Sequence, residues 1–158
     1  MKRIIAFFLL LAATAGGAQA EVYKLTSPNG RTTVDVEVRN RITWSVSHNG
    51  QRILAPSAIS MTVAGKRIGT GSGARVRSTA TRKEKDIITT NFWRQMFVNF
   101  SYNELELTLN DGWSLIFRAY DKEGVAYRFV STAVKKDDRV TDELAEFNFN
   151  GDYTTYVP

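Results

Sequence analysis

The sequence predicts an all-β protein, an antiparallel sandwich or barrel, on three observations. Apolar and polar residues alternate with period two along most of the chain. Turn signals rich in Gly, Asn and Asp recur about every ten residues. No stretch carries the apolar stripe of an amphipathic helix. Alternation marks a half-buried strand, because successive side chains of a strand point to opposite faces.

The first twenty residues are set apart. Lys2 and Arg3 open a run of apolar residues from Ile4 to Ala13, and Ala18-Gln19-Ala20 then gives the small-x-small pattern of a signal-peptidase site. The run is short for a spanning helix, which needs about 20 apolar residues. Residues 1–20 are therefore expected to be a signal peptide cleaved between Ala20 and Glu21, in preference to an N-terminal membrane anchor. The protein has no cysteine, so a lipoprotein-type anchor is excluded. The expectation is an exported chain, periplasmic or secreted, with no stable membrane anchor and one domain over residues 21–158.

The strands follow in order. Val34, Val36 and Val38 alternate with Asp35 and Glu37. Ile42, Trp44 and Val46 alternate with Thr43, Ser45 and Ser47. Asn49-Gly50 then precedes Arg52-Ile53-Leu54, and Asn-Gly between two β-prone runs is a strong hairpin signal, because a type I′ turn needs two positive φ angles. Ile59, Met61 and Val63 lead to a turn at Ala64-Gly65-Lys66, and Gly69 to Gly73 reads as a loop. Thr79 to Asp86 has helix-compatible residues but no apolar stripe. Val98, Phe100 and Tyr102 form one alternating set, and Leu105, Leu107 and Leu109 another. Asn110-Asp111-Gly112 turns the chain into Trp113, Leu115 and Phe117. Asp121-Lys122-Glu123-Gly124 turns it into Val125, Tyr127 and Phe129. Glu143 to Phe149 reads as a last strand, and Pro28, Pro56 and Pro158 are expected at turns or the terminus.

Composition excludes several classes. Lys2 and Arg3 account for two of the 21 lysines and arginines, which leaves 19 against 16 acidic residues, a net +3. That charge is small and interspersed, so no nucleic-acid partner is expected. Arg75, Arg77, Arg82, Lys83 and Lys85 are interrupted by Glu84 and Asp86 and read as a solvated strand edge or loop in preference to a phosphate-binding patch. Without cysteine there is neither a disulfide nor a thiolate zinc site, and His48 is the only histidine.

No catalytic centre is legible. Glu104 and Glu106 lie on the polar face of the strand whose other face is Leu105, Leu107 and Leu109, so they read as a solvent-facing stripe. Asp121 and Glu123 sit in a turn, where Asp bonds its own backbone. Asp137 and Asp138 sit in a charged loop. His48 precedes a hairpin turn, no nearby Ser or Cys carries the marks of a nucleophile, and a surface hairpin position is the expected reading. Trp44 and Trp113 fall on apolar phases and read as core. Trp93, between Phe92 and Arg94, breaks the alternation and is the candidate carbohydrate-stacking residue. No metal ligand set is present; an all-oxygen calcium site suits the composition, but no loop has its spacing.

The order of motifs carries a resemblance. Leu25-Thr26-Ser27-Pro28-Asn29-Gly30 is followed by Ile42-Thr43-Trp44-Ser45-Val46, Tyr102-Asn103-Glu104-Leu105 and Phe117-Arg118-Ala119-Tyr120-Asp121. Then come Gly124-Val125-Ala126-Tyr127-Arg128-Phe129, Glu146-Phe147-Asn148-Phe149 and Gly151-Asp152-Tyr153. Together they resemble the N-terminal domain of glycoside hydrolase family 97, a family of α-glucosidases and α-galactosidases. The resemblance implies a mutarotase-like β-supersandwich, incomplete at its C-terminus here. It implies a catalytic (β/α)₈ barrel that this chain lacks, α-linked glucosides or galactosides as substrates, and a calcium ion in the full-length enzyme. It places no catalytic or metal-binding residue in this sequence.

The resulting expectation is a non-catalytic sandwich module of an exported α-glycosidase, supporting the barrel and carbohydrate binding. The alternative is a stand-alone carbohydrate-binding or structural sandwich. A small mutarotase-type enzyme is the weakest reading, since it needs a His and a Glu around one sugar and His48 is the only histidine.

Overall fold

Ten strands, counted among the described residues, are arranged in two antiparallel sheets. The computed structural model describes residues 20–89, 97–122, 124–131 and 134–154. The strands are β1 (Glu21–Thr26), β2 (Thr32–Val38), β3 (Ile42–His48), β4 (Gln51–Val63), β5 (Lys66–Ile68), β6 (Val76–Thr89), β7 (Phe97–Leu109), β8 (Ser114–Tyr120), β9 (Val125–Val130) and β10 (Val140–Ala145). The first sheet runs β1-β2-β3-β4-β10, with β5 also on β4, and the second is the meander β6-β7-β8-β9.

The alternation in sequence becomes the core. On β2, Val34, Val36 and Val38 are buried while Asp35 and Glu37 are partly exposed. Leu105, Leu107 and Leu109 of β7 and Leu115 and Phe117 of β8 supply the facing layer. Trp44 joins the sheets: its ring centroid lies 5.9 Å from Phe117 and 5.5 Å from Tyr127. Each such apolar side chain contributes about 1.5–3 kcal/mol by leaving water. Trp113 is half-buried at the border of this cluster. The β3–β4 hairpin turns at Asn49 (φ 48°) and Gly50 (φ 80°), the two positive angles its sequence requires.

Three elements depart from the sequence reading. The stretch from Thr79 to Asp86 lies inside β6, whose thirteen register partners all fall on β7. Pro56 lies within β4, not at a turn. It is tolerated because Val46 pairs with Leu54 and Trp44 with Ser57, so Ala55 and Pro56 bulge opposite Ser45 and no ladder bond is asked of the missing N–H. The strand expected over Glu143 to Phe149 ends at Ala145. Beyond it the chain keeps alongside β4 through Ala55 N–H to Asn148 O at 2.8 Å and Asn150 N–H to Ile53 O at 3.0 Å. The glycine loop at Gly69–Gly73 contains a 3₁₀ turn over Gly71–Ala74.

Candidate functional site

The most organised polar cluster stands on the outer face of the second sheet. Cross-strand register sets Arg82, Glu104 and Arg118 directly opposite one another on β6, β7 and β8. Arg118 Nε donates to Glu104 Oε2 at 2.7 Å, and Arg82 Nε lies 4.0 Å from Glu104 Oε1. The Arg118 guanidinium carbon sits 4.4 Å from the centroid of the Tyr102 ring, a cation–π contact. Tyr102 in turn stacks on Phe100 at 6.0 Å and meets Tyr120 at 5.2 Å.

This arrangement corrects the expectation for Glu104. It lies on the predicted face, but only 4% of it is exposed, because the long side chains of Arg118, Tyr102 and Arg82 close over it. Glu106 keeps the partial exposure expected of that stripe. The hydrogen bond from Arg118 to Glu104 raises the guanidinium pKa further above its usual value. A carboxylate held this way is a fixed counter-ion and not a free acid or base. A signal was present in the sequence, since Arg82, Glu104 and Arg118 become neighbours once three adjacent strands are placed in register.

Two of the other candidate carboxylates, Asp121 and Asp138, and the histidine have structural partners, while Asp137 is exposed. Asp121 accepts a hydrogen bond from Ser101 Oγ, its backbone N–H donates to Ser101 O at 3.0 Å, and Asn29 Nδ2 donates to its carbonyl at 2.5 Å. Its proposed companion Glu123 lies outside the described residues. Asp138 Oδ2 accepts the backbone N–H of Lys135 at 2.8 Å in an exposed turn. His48 Nδ1 lies 3.1 Å from Thr32 Oγ1 on β2 and its Nε2 lies 2.9 Å from Asn49 Nδ2, which ties it to the neighbouring strand and to its own turn. Tyr23 is pushed up to about 12 by burial and by its hydrogen bond to Glu21. Tyr127 is raised by burial and by the charge of Glu143.

Two shallow clefts accompany these groups. One of about 280 Å³ on the first sheet is lined by Lys24, Asp35, Glu37, Thr43, Arg52 and Pro56, with Asp35 between Lys24 at 3.7 Å and Arg52 at 3.9 Å. Another of about 410 Å³ lies at the seam of β1 with β6 and β7 and includes Lys24, Arg82, Asn103 and Glu104. The first cleft holds two carboxylates, but Asp35 is ion-paired with Lys24 and Arg52 and Glu37 with Arg39 at 3.0 Å, and the second holds only Glu104, so neither presents the pair of unpaired carboxyl groups that glycoside hydrolysis uses. Among the described residues no three histidine or acidic side chains converge on a point where a metal ion could bind. The calcium ion that the resemblance implies for the full-length enzyme finds no such carboxylate cluster among the described residues. Trp93 lies outside the described residues. Ala20 is the first described residue, and β1 begins at Glu21. Among the described residues no helix is long and apolar enough to cross a membrane.

Comparison with known proteins adds what the geometry alone does not. The glycosyl-hydrolase 97 N-terminal family matches residues 25–158. The retaining alpha-galactosidase of Bacteroides thetaiotaomicron is 32% identical over 158 residues, which is 100% of this chain and 23% of that protein. A glycoside hydrolase family 97 enzyme from Pseudoalteromonas sp. strain K8, solved in complex with panose, superposes with a TM-score of 0.69 at 20% identity over 81% of this chain and 20% of that one. A beta-arabinopyranosidase superposes with a TM-score of 0.69 at 22% identity over 80% of this chain and 21% of that one. The two structures establish the likeness of fold. The chain thus spans under a quarter of the length of these relatives.

Proposed function

Since the chain belongs to the glycosyl-hydrolase 97 N-terminal family, we propose that it is the sandwich module of an exported α-glycosidase and is not catalytic by itself. Its role is to support a (β/α)₈ barrel carried by further polypeptide and to help wall that barrel's pocket for α-linked glucosides or galactosides. The observation that carries this reading is the family match over residues 25–158 on a chain that spans 23% of a retaining alpha-galactosidase. The chemistry agrees: the one deeply buried acid among the described residues, Glu104, is occupied by Arg118. The calcium ion belongs, on this proposal, to the full-length enzyme and not to the described residues of this chain. Export is supported by the basic start, the apolar run and the Ala18-Gln19-Ala20 pattern. The proposal that strands beyond this chain complete the first sheet is supported by β10, every residue of which is exposed.

The test compares the purified 21–158 chain with the full product of its gene against α-glucosides and α-galactosides. Hydrolysis by the full product alone is the expected result. Hydrolysis by the 21–158 chain would overturn the reading. Saturable binding of maltooligosaccharides or galactosides by that chain, lost in Trp93→Ala, would make it a stand-alone binding module.

A further inference from the structure

The two-stranded ribbon formed by the end of β6 and the start of β7 has no cover within the described residues. β8 pairs with β7 only from Tyr102 to Thr108, whereas β6 follows β7 to the pair Thr89–Phe97. From Asp86–Phe100 outward the ribbon therefore stands clear of the sheet. Register puts Ile88 and Val98 on one face and Ile87, Thr89, Phe97 and Asn99 on the other. Ile87 is 58%, Ile88 50% and Phe97 60% exposed. An apolar side chain left in water forgoes the energy of its burial, and apolar surface on both faces of one projecting element marks an interaction site.

We propose that this ribbon is the docking element by which the module enters the catalytic part of a family 97 glycoside hydrolase. The inference rests on the functional reading above and specifies its contact surface. Three observations choose a polypeptide as the occupant. The relatives carry more than three-quarters of their length outside the region matched here, so a large protein surface is available to meet the sandwich. Apolar groups on both faces call for a partner that encloses the ribbon, which a sugar stacked on one face would not do. Among the described residues Ile87, Ile88 and Val98 are aliphatic, and the neighbouring Arg82, Lys83 and Lys85 are interspersed with Glu84 and Asp86, a pattern not suited to an anionic membrane. The root of the ribbon is stiff. Phe100 stacks on Tyr102 with planes 4° apart, and Tyr102 lies under the Arg118 guanidinium that Glu104 holds. A ribbon fixed at its root loses less entropy on docking than a free loop would.

The test is carbene footprinting of side chains in the isolated 21–158 chain and in the full product of the gene. Labelling of Ile87, Ile88 and Phe97 should fall about fivefold in the full product, as expected for residues moving into an interface core, with Val22 on the first sheet as internal reference. The double variant Ile88→Glu/Val98→Glu should restore the labelling of Phe97. Unchanged labelling of the ribbon in a full product that carries and uses a barrel would overturn this inference and leave the functional reading standing. A gene product with no further polypeptide would overturn both.

Discussion

Glu104 and Arg118 face each other across β7 and β8 and form a 2.7 Å charge-assisted hydrogen bond with the carboxylate only 4% exposed. Breaking such a pair from one side strands a buried charge. Arg118→Ala is therefore expected to cost about 3 kcal/mol in urea denaturation, with Arg82, 4.0 Å away, unable to replace it. The double variant Glu104→Leu/Arg118→Leu should recover most of that loss, because an apolar pair removes the stranded charge. A loss of about 0.5 kcal/mol in Arg118→Ala would mean the pair behaves as an exposed one.

Trp44 and Phe117 touch across the two sheets, but their substitutions should differ sharply. Phe117 is fully buried, and Phe117→Ala is expected to cost about 3–5 kcal/mol through lost contacts and a cavity. Trp44 is 5% exposed, and its Nε1 has no hydrogen-bond partner among the described residues. Trp44→Phe removes that orphaned donor along with some apolar area, so its net cost should stay within about 1 kcal/mol. Equal losses in the two variants would show that the indole N–H is satisfied in solution.

Alkaline pH should destabilise the sandwich in a defined window. Tyr23 is raised from 10.0 to about 12 by burial and by Glu21, so between those values the folded chain holds a proton that the unfolded chain has released. The stability from this group is complete below pH 10 and is lost as pH rises through 12. Tyr127 is raised as well and acts in the same direction. Thermal melts and tyrosinate absorbance followed together should show the fall, and Tyr23→Phe should reduce it. A fall of the same size in Tyr23→Phe would assign the effect elsewhere.

Export predicts a mature N-terminus at Glu21, where β1 begins. Mass spectrometry of the exported product should find that terminus. A retained Met1 in the membrane fraction would contradict it.

The sandwich was legible where one face of a strand is apolar and the other polar. Val34, Val36 and Val38 could be placed in the core, and Asn49-Gly50 at a hairpin, from residue type alone. β6 was not legible in the same way. All but its first residue is exposed, so it has no buried face to write an alternation, and its identity comes from its ladder with β7. Pro56 misled because its place in β4 depends on a bulge, which only the β3 register reveals. Glu104 kept its face but not its exposure, since burial there comes from Arg118 and Tyr102, distant in sequence or on the same outer row. The family likeness was legible in the order of short motifs. A candidate sugar contact at Trp93 rests on sequence alone.

If this sandwich is one module of a longer α-glycosidase, its gene encodes the rest of that enzyme. The most direct measurement is the reading frame of its gene beyond the codon for Pro158, checked by peptides of the exported product. The expected result is an in-phase frame encoding alternating strands and helices that close a (β/α)₈ barrel, with peptides from both sides of Pro158 in one polypeptide. A stop codon at that point, with no barrel-like frame following, would contradict it.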